Sequence, residues 1–305
     1  MFESSAERCP EAPCLGYRPY DASKGVLRPY EWISYATLQR RRANFGRGLV
    51  ELHAREGILG SQYGVGLWCQ NRPEWQITDL ACVSQSLFAV SLYDTLGPDS
   101  SAYIINHAEL SCVAATPDHV KELLELKPQL PHLKLIVMFE ESTAAPNAHA
   151  MTSLPDFASS LSDFGVKVFP MAEVEELGSS LRHGYKPPQP SDIVTINYTS
   201  GTTGPPKGVV LTHYNAVAAA AASFIITAHK EDDVLCSYLP LAHIYGRMLE
   251  HVALYSGTRI GYFHGDILAL VEDLKLLKPT TFPSVPRLFN RFGGIVKSMT
   301  IDAPG

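Results

Sequence analysis

Four hydroxylic residues, Thr199, Ser200, Thr202 and Thr203, crowd into the segment YTSGTTGPPKGVVLTH at 198–213. Gly201, Gly204 and Gly208 are interleaved with them, and a single cation, Lys207, closes the run. These residue types at this spacing suit a polyphosphate cradle. Glycines let the backbone approach closely and adopt positive φ. Consecutive N–H groups can form an anion nest. Hydroxyls can donate to phosphate oxygens or ligate a hydrated magnesium ion, with Thr202 as the candidate metal contact. Lys207 supplies a mobile point charge. A Walker A loop is excluded, because Pro206 precedes Lys207 and Gly208 follows it. A dinucleotide fingerprint is excluded too, since Cys69 takes the third glycine place after Gly64 and Gly66. The bland alternative is a flexible Gly/Ser/Thr linker. Linkers do not sit between two buried strand patterns with a lone lysine.

The surroundings of this loop alternate in period. VGLWC (65–69), LFAVSL (87–92), SCVAA (111–115) and KLIVMF (134–139) read as short buried strands. Between them, 73–86, a segment from Pro98 and Asp99 through INHAEL, and 117–127 read as helices. This alternation predicts an α/β fold with a parallel sheet built from right-handed crossovers. Residues 140–160 read as a surface insertion, 166–170 as a strand and the acidic stretch after it as a helix. The proline-rich HGYKPPQPS (183–191) is expected to separate a first sub-domain, 1–190, from a second, 191–305, that carries the phosphate loop. In the second, DIVTINY (192–198), VVLTH, DVLCSYL and TRIGYF are predicted strands. Residues 215–228, a segment from Arg247 and DILALVEDLKLLK are predicted helices.

Composition narrows the class. Of 305 residues, 46% are hydrophobic and 18% charged, which excludes a disordered chain. The net charge of −6 offers no basic field for nucleic acid, so a phosphate ligand must be held by local geometry. The six cysteines lack metal or disulfide spacing and read as small buried hydrophobes. The longest apolar run, 216–226, is too short to span a bilayer. The N-terminus lacks the pattern of a signal peptide. The chain reads as soluble and intracellular, with peripheral membrane association left open.

YTSGTTGPPKGVVLTH resembles the signature of the adenylate-forming (AMP-binding) superfamily. SYLPLAHIYGRMLEH (237–251), PTTFPSVPRLFNRFGGIVK (279–297), the segment 68–99 and YIINHAELSCV (103–113) resemble its long-chain acyl-CoA synthetases, in a fungal peroxisomal branch. The resemblance implies the N-terminal domain of such an enzyme, with parallel sheets flanked by helices. It implies a two-step reaction in which a fatty-acid carboxylate attacks ATP to give an acyl-adenylate, and coenzyme A then displaces AMP. ATP, Mg2+ and coenzyme A would be the small-molecule partners. Thr199, Ser200, Gly201, Thr202, Thr203, Gly204, Lys207 and Gly208 would hold the nucleotide phosphates, with Lys207 and His243 as catalytic candidates. His243, Tyr245 and Arg247 would line the acyl pocket, although Arg247 also reads as a surface or helix-start residue. Arg287 reads equally as structural. His213 is expected to pack or cap the following helix, and His107 reads as a helix residue for which spacing names no partner. Trp68, Trp75, Phe88 and Tyr93 read as core. Peroxisome is the favoured compartment, with endoplasmic reticulum or cytosol as alternatives.

Members of that family continue past this point, into a Tyr-Gly-x-Thr-Glu segment, a ribose-binding Asp and a C-terminal domain with a catalytic Lys. None of these occurs by Gly305, so the chain is expected to be an N-terminal-half fragment, incomplete at both ends. Two consequences are expected: unpaired edges beside 192–198 and 258–262, and no acyl-CoA synthesis by the fragment alone. The alternative function is a catalytically inactive fragment or pseudo-enzyme that binds only a ligand or partner.

Overall fold

The computed structural model describes residues 1–93, 100–139, 165–200 and 204–300. The helix start at Pro98–Asp99, the insertion at 140–160, and Gly201, Thr202 and Thr203 lie outside the described residues. The larger sheet has seven strands. They are β5 (Gly64–Trp68), β6 (Phe88–Ser91), β7 (Cys112–Ala115), β8 (Leu135–Met138), β9 (Lys167–Pro170), β10 (Ile193–Thr199) and β11 (Lys207–Thr212). Their order is β11-β10-β6-β5-β7-β8-β9. From β10 to β9 every pairing is parallel, as the alternation predicts. β11 is antiparallel to β10 because a short loop, not a crossover helix, returns the chain.

Helices cover both faces. They include α2 (Tyr35–Arg55), α3 (Pro73–Ser84), α4 (Ser100–His107), α5 (Pro117–Leu126) and α6 (Met171–Ser180), which follow α1 (Phe2–Arg8). α3 is buried on nearly every side, and Trp75 at 1% exposure anchors it in the main core. α2 and α6 approach so closely that a Cβ at Gly178 would lie 1.8 Å from the Asn44 carbonyl oxygen. Glycine is therefore a steric requirement at that crossing.

A four-stranded sheet has the order β12-β13-β1-β4, from β12 (Val234–Ser237), β13 (Arg259–Tyr262), β1 (Pro13–Tyr17) and β4 (Glu31–Ser34). β2 (Tyr20–Asp21) and β3 (Val26–Leu27) form a small hairpin. Four further helices complete the described chain: α7 (His213–Thr227), α8 (Ile244–Ser256), α9 (Leu270–Leu277) and α10 (Pro286–Thr300). Both large sheets draw strands from either side of residue 190. β10 pairs with β6, and β13 with β1. The expectation of unpaired edges is therefore corrected. β10 is bonded on both sides by β6 and β11, and β13 on both sides by β12 and β1.

Candidate functional site

β10 is the element that leads into the glycine- and hydroxyl-rich loop expected to hold phosphate. Its inward residues fasten it: the Thr195 hydroxyl donates to the Ala89 carbonyl (2.7 Å), and Asn197 Nδ2 donates to the Ala242 carbonyl (2.9 Å). The Tyr198 ring is buried, and its hydroxyl lies 2.8 Å from His107 Nδ1. His107, for which spacing names no partner, thus braces the strand at the base of the loop. Thr199 and Ser200 then emerge exposed at its C-terminal end.

On the return, Lys207 and Gly208 are already strand. The periodicity assigned both to the loop, but they open β11 opposite Thr199 and Tyr198. Lys207 is exposed, directly across from Thr199. Gly204 has φ +94°, in the region that glycine favours. Gly208 is required by packing. A Cβ there would stand 2.9 Å from Ile196 Cγ2 and 3.2 Å from Tyr198 Cζ, so the Tyr198 ring lies across the glycine.

The second group comes from the 237–247 segment. His243 is the N-cap of α8, yet its side chain makes no capping bond. The imidazole is exposed and packs on the Tyr93 ring, with centroids 5.1 Å apart. Tyr93 in turn donates its hydroxyl to the Tyr198 carbonyl. Tyr93 is half-buried and bridges His243 to the base of the loop, in place of the core role expected of it. Trp68, Trp75 and Phe88 are buried as expected.

Asn71 holds the segment leading to His243. Its Nδ2 donates to Ser237 Oγ (2.9 Å) and the Leu239 carbonyl (2.7 Å), and its Oδ1 accepts from the Leu241 N–H (2.9 Å). With Asn197 on Ala242, two buried asparagines, one on β10 and one in the connection between β5 and α3, clamp this segment. Neither carried a periodicity or motif that would single it out in sequence.

Tyr245 is exposed on the first turn of α8, and Arg247 is not a surface residue. Arg247 is 2% exposed and forms a bidentate ion pair with Asp79 of α3, with the guanidinium 5.5 Å from the Trp75 ring centroid. His251 Nε2 adds a contact of 2.9 Å to the same carboxylate. Burial by itself would raise the Asp79 carboxyl, but Arg247 and His251 hold it down at about 2. Glu250, in the same helix and 1% exposed, has no cation against it among the described residues. It accepts a bond from the Tyr262 hydroxyl (3.1 Å), and burial pushes its carboxyl up to about 8. The cap of α7 is Thr212, in a capping box with Asn215, so His213 is the first helical residue and not the cap. Arg287 is exposed in the first turn of α10.

Between α7, α8 and the start of β10 lies a cavity of about 790 Å³ with a mostly apolar wall. Tyr245, Arg247, Val194 and Thr195 line it, with Ala216, Ala219 and Ala220 of α7. His243 is not on its wall. Among the described residues no helix is long and apolar enough to cross a membrane.

The model of the AMP-binding enzyme family matches residues 2–303. The chain belongs to this family. Within it, the chain is 55% identical over its whole length to the peroxisomal acyl-CoA ligase 891 of Penicillium brevicompactum, covering 43% of that protein. It is 38% identical over 98% of its length to the peroxisomal long chain acyl-CoA synthetase 7 of Arabidopsis thaliana, covering 40% of it. It is 39% identical over 92% of its length to long-chain-fatty-acid–CoA ligase 6 of Mus musculus, covering 38% of it. The chain thus spans about two-fifths of the length of these curated relatives. In fold it resembles the A-PCP didomain of the Segniliparus rugosus carboxylic acid reductase, solved in complex with AMP. The TM-score is 0.84 at 21% identity, over all of this chain and 44% of that one. The α/β architecture is accordingly that of an AMP-binding enzyme.

Proposed function

We propose that this chain supplies the phosphate loop and acyl pocket of a long-chain fatty-acid–CoA ligase. One observation carries the reading: β10 ends in the phosphate loop and, behind it, lines an apolar cavity of about 790 Å³. That volume lies within the usual range of small-molecule sites. An acid seated there would present its carboxylate towards Thr199, Ser200 and Lys207, with the apolar chain behind. Similarity to acyl-CoA ligases of fungi, plants and mammals supports the same substrate class.

In the first step a carboxylate oxygen attacks the α-phosphorus of ATP and the bond to pyrophosphate breaks. Negative charge builds on the leaving group, and Lys207 with the hydroxyls and N–H groups of the loop would offset it. In the second step the coenzyme A thiol attacks the acyl carbonyl and AMP leaves. His243, held beside the loop by Tyr93, Asn71 and Asn197, would border the reacting carboxyl. Tyr245 and Arg247 would belong to the pocket wall. Mg2+ would neutralise phosphate charge. It would be held mainly through phosphate oxygens, with Thr202 as the proposed protein contact. Relatives named as peroxisomal support a peroxisomal location.

The test is pyrophosphate release and thioester formation from hexadecanoic acid, ATP, Mg2+ and coenzyme A, in wild type and Lys207→Ala, each in a chain extended to the full length of the curated relatives. Loss of one such contact in the transition state typically costs about 2.7–4 kcal/mol, so the variant should be slower by about 100–1,000-fold at saturating ATP. An equal rate in both refutes the role of Lys207. Ligand binding without thioester in either refutes the ligase reading and leaves a non-catalytic binding protein.

A further inference from the structure

The cavity is apolar, yet one part of its wall carries buried hydrogen-bond donors. Arg247 spends its Nε and one Nη on Asp79, while its Nη1 is buried and has no hydrogen-bond partner among the described residues. Nε2 of His213, also on the wall, is likewise buried and unpartnered. His213 lies within electrostatic reach of Asp79, Arg247 and His251, so these four side chains form one cluster. Burial lowers the His213 imidazole, which keeps the ring neutral and able to donate from one nitrogen. The other buried cation on the wall, Arg42, is ion-paired with Glu3 and stacked against Phe2 and Tyr185. Its Nε is also buried without a hydrogen-bond partner among the described residues, but the pairing with Glu3 already meets its charge.

The placement of this cluster along β10 sets what it can read. The His213 N–H bonds the Asp192 carbonyl (3.0 Å), immediately before the first residue of the strand. The phosphate loop begins at the other end, after Thr199. At about 3.3 Å per residue the strand separates the two by roughly 20 Å. A chain whose carboxyl is at the loop therefore brings its far portion to His213 and to the Arg247 guanidinium within its electrostatic reach, although the Arg247 backbone stands one helical turn from His243. A purely hydrocarbon chain would cover these donors and leave them unpaired in an apolar surround, which is unfavourable.

We propose that this cavity takes a carboxylic acid whose chain bears an oxygen acceptor remote from the activated carboxyl: a hydroxyl, a carbonyl or a second carboxylate. Arg247 Nη1 and His213 Nε2 are the donors that recognise it. The proposal rests on the ligase reading for which end of the acid is activated.

Binding tests it by displacement of a fluorescent fatty acid, with hexadecanoic, 16-hydroxyhexadecanoic and hexadecanedioic acids kept below their micelle concentrations. Wild type should prefer the oxygenated acids by about tenfold. In His213→Leu that ratio should fall towards one, and His213→Gln, which retains a donor, should restore part of it. Arg247→Lys keeps a cation for Asp79 but removes the fork, and should also shrink the ratio. Circular dichroism confirms that each variant is folded. Equal affinities in wild type, or a preference that survives both His213→Leu and Arg247→Lys, overturn the proposal. The thioester assay with hexadecanoic acid, run in a chain extended to the full length of the curated relatives, separates the two readings. Thioester without a binding preference refutes only the proposed donors. A preference without thioester refutes only the ligase reading.

Discussion

The buried pair of Arg247 and Asp79 makes a quantitative prediction. Asp79 is fully buried, and its carboxyl lies at about 2 against an ordinary 3.8. That depression corresponds to about 2 kcal/mol of stability at neutral pH. Because the folded-state value is the lower one, the contribution is present above about pH 4 and is lost as the pH falls through 2. Arg247→Met removes more than this, because it leaves a buried carboxylate with only His251 beside it. Breaking one side of such a pair costs about 3–5 kcal/mol. Arg247→Met should therefore lower the unfolding free energy from urea denaturation by that amount at pH 7. Adding Asp79→Leu should recover most of the loss, since an apolar pair of similar volume removes the stranded charge. Urea denaturation followed by tryptophan fluorescence measures all three proteins. A cost below about 1 kcal/mol for Arg247→Met, or a double variant no better than the single one, would show that the pair is not a buried interaction of the core.

Three further outcomes follow from the geometry. Gly208→Val should disrupt the phosphate loop, because its side chain would meet Ile196 and Tyr198. Weakened nucleotide binding with an altered near-ultraviolet tyrosine signal is expected, and wild-type nucleotide affinity would contradict it. Glu250 titrates higher in the folded state, at about 8 against an ordinary 4.5, so the folded protein holds a proton that the unfolded chain releases. Its effect is to lower stability as the pH rises from about 4.5 to 8. Glu250→Gln should flatten that part of the melting-temperature profile, and an unchanged slope would refute the assignment. His243→Ala should slow thioester formation and leave the melting temperature within a few degrees, since the ring is exposed and caps nothing. A collapse of the fold instead would mean that the imidazole is a core residue.

Much of the α/β alternation was legible between 65 and 139, because parallel strands buried on both faces are continuous apolar runs and the helices between them have clear starts. The first 64 residues carried no such signal. Strands of two to five residues are too short for a period, and α2 is a polar helix with glycines at 46 and 48. The loop 198–213 stood out because glycines, hydroxyls and one lysine at close spacing are a local property of the chain. Asn71, Asn197 and Tyr93 did not stand out. Their importance lies in partners 168, 45 and 105 residues away.

By itself the sequence determined the family, the glycine- and hydroxyl-rich loop, and the alternation of strands and helices beyond residue 64, since each is written in contiguous residues. Tertiary structure alone decided that β1 joins β13 and that β10 is bonded on both sides. It also decided that Gly208 serves the Tyr198 ring, and that Arg247 is spent on Asp79 while one nitrogen is left on a cavity wall. The physical reason is the same in each case. A side chain's charge, burial and partners depend on which distant segments pack against it, and local spacing carries no record of those contacts.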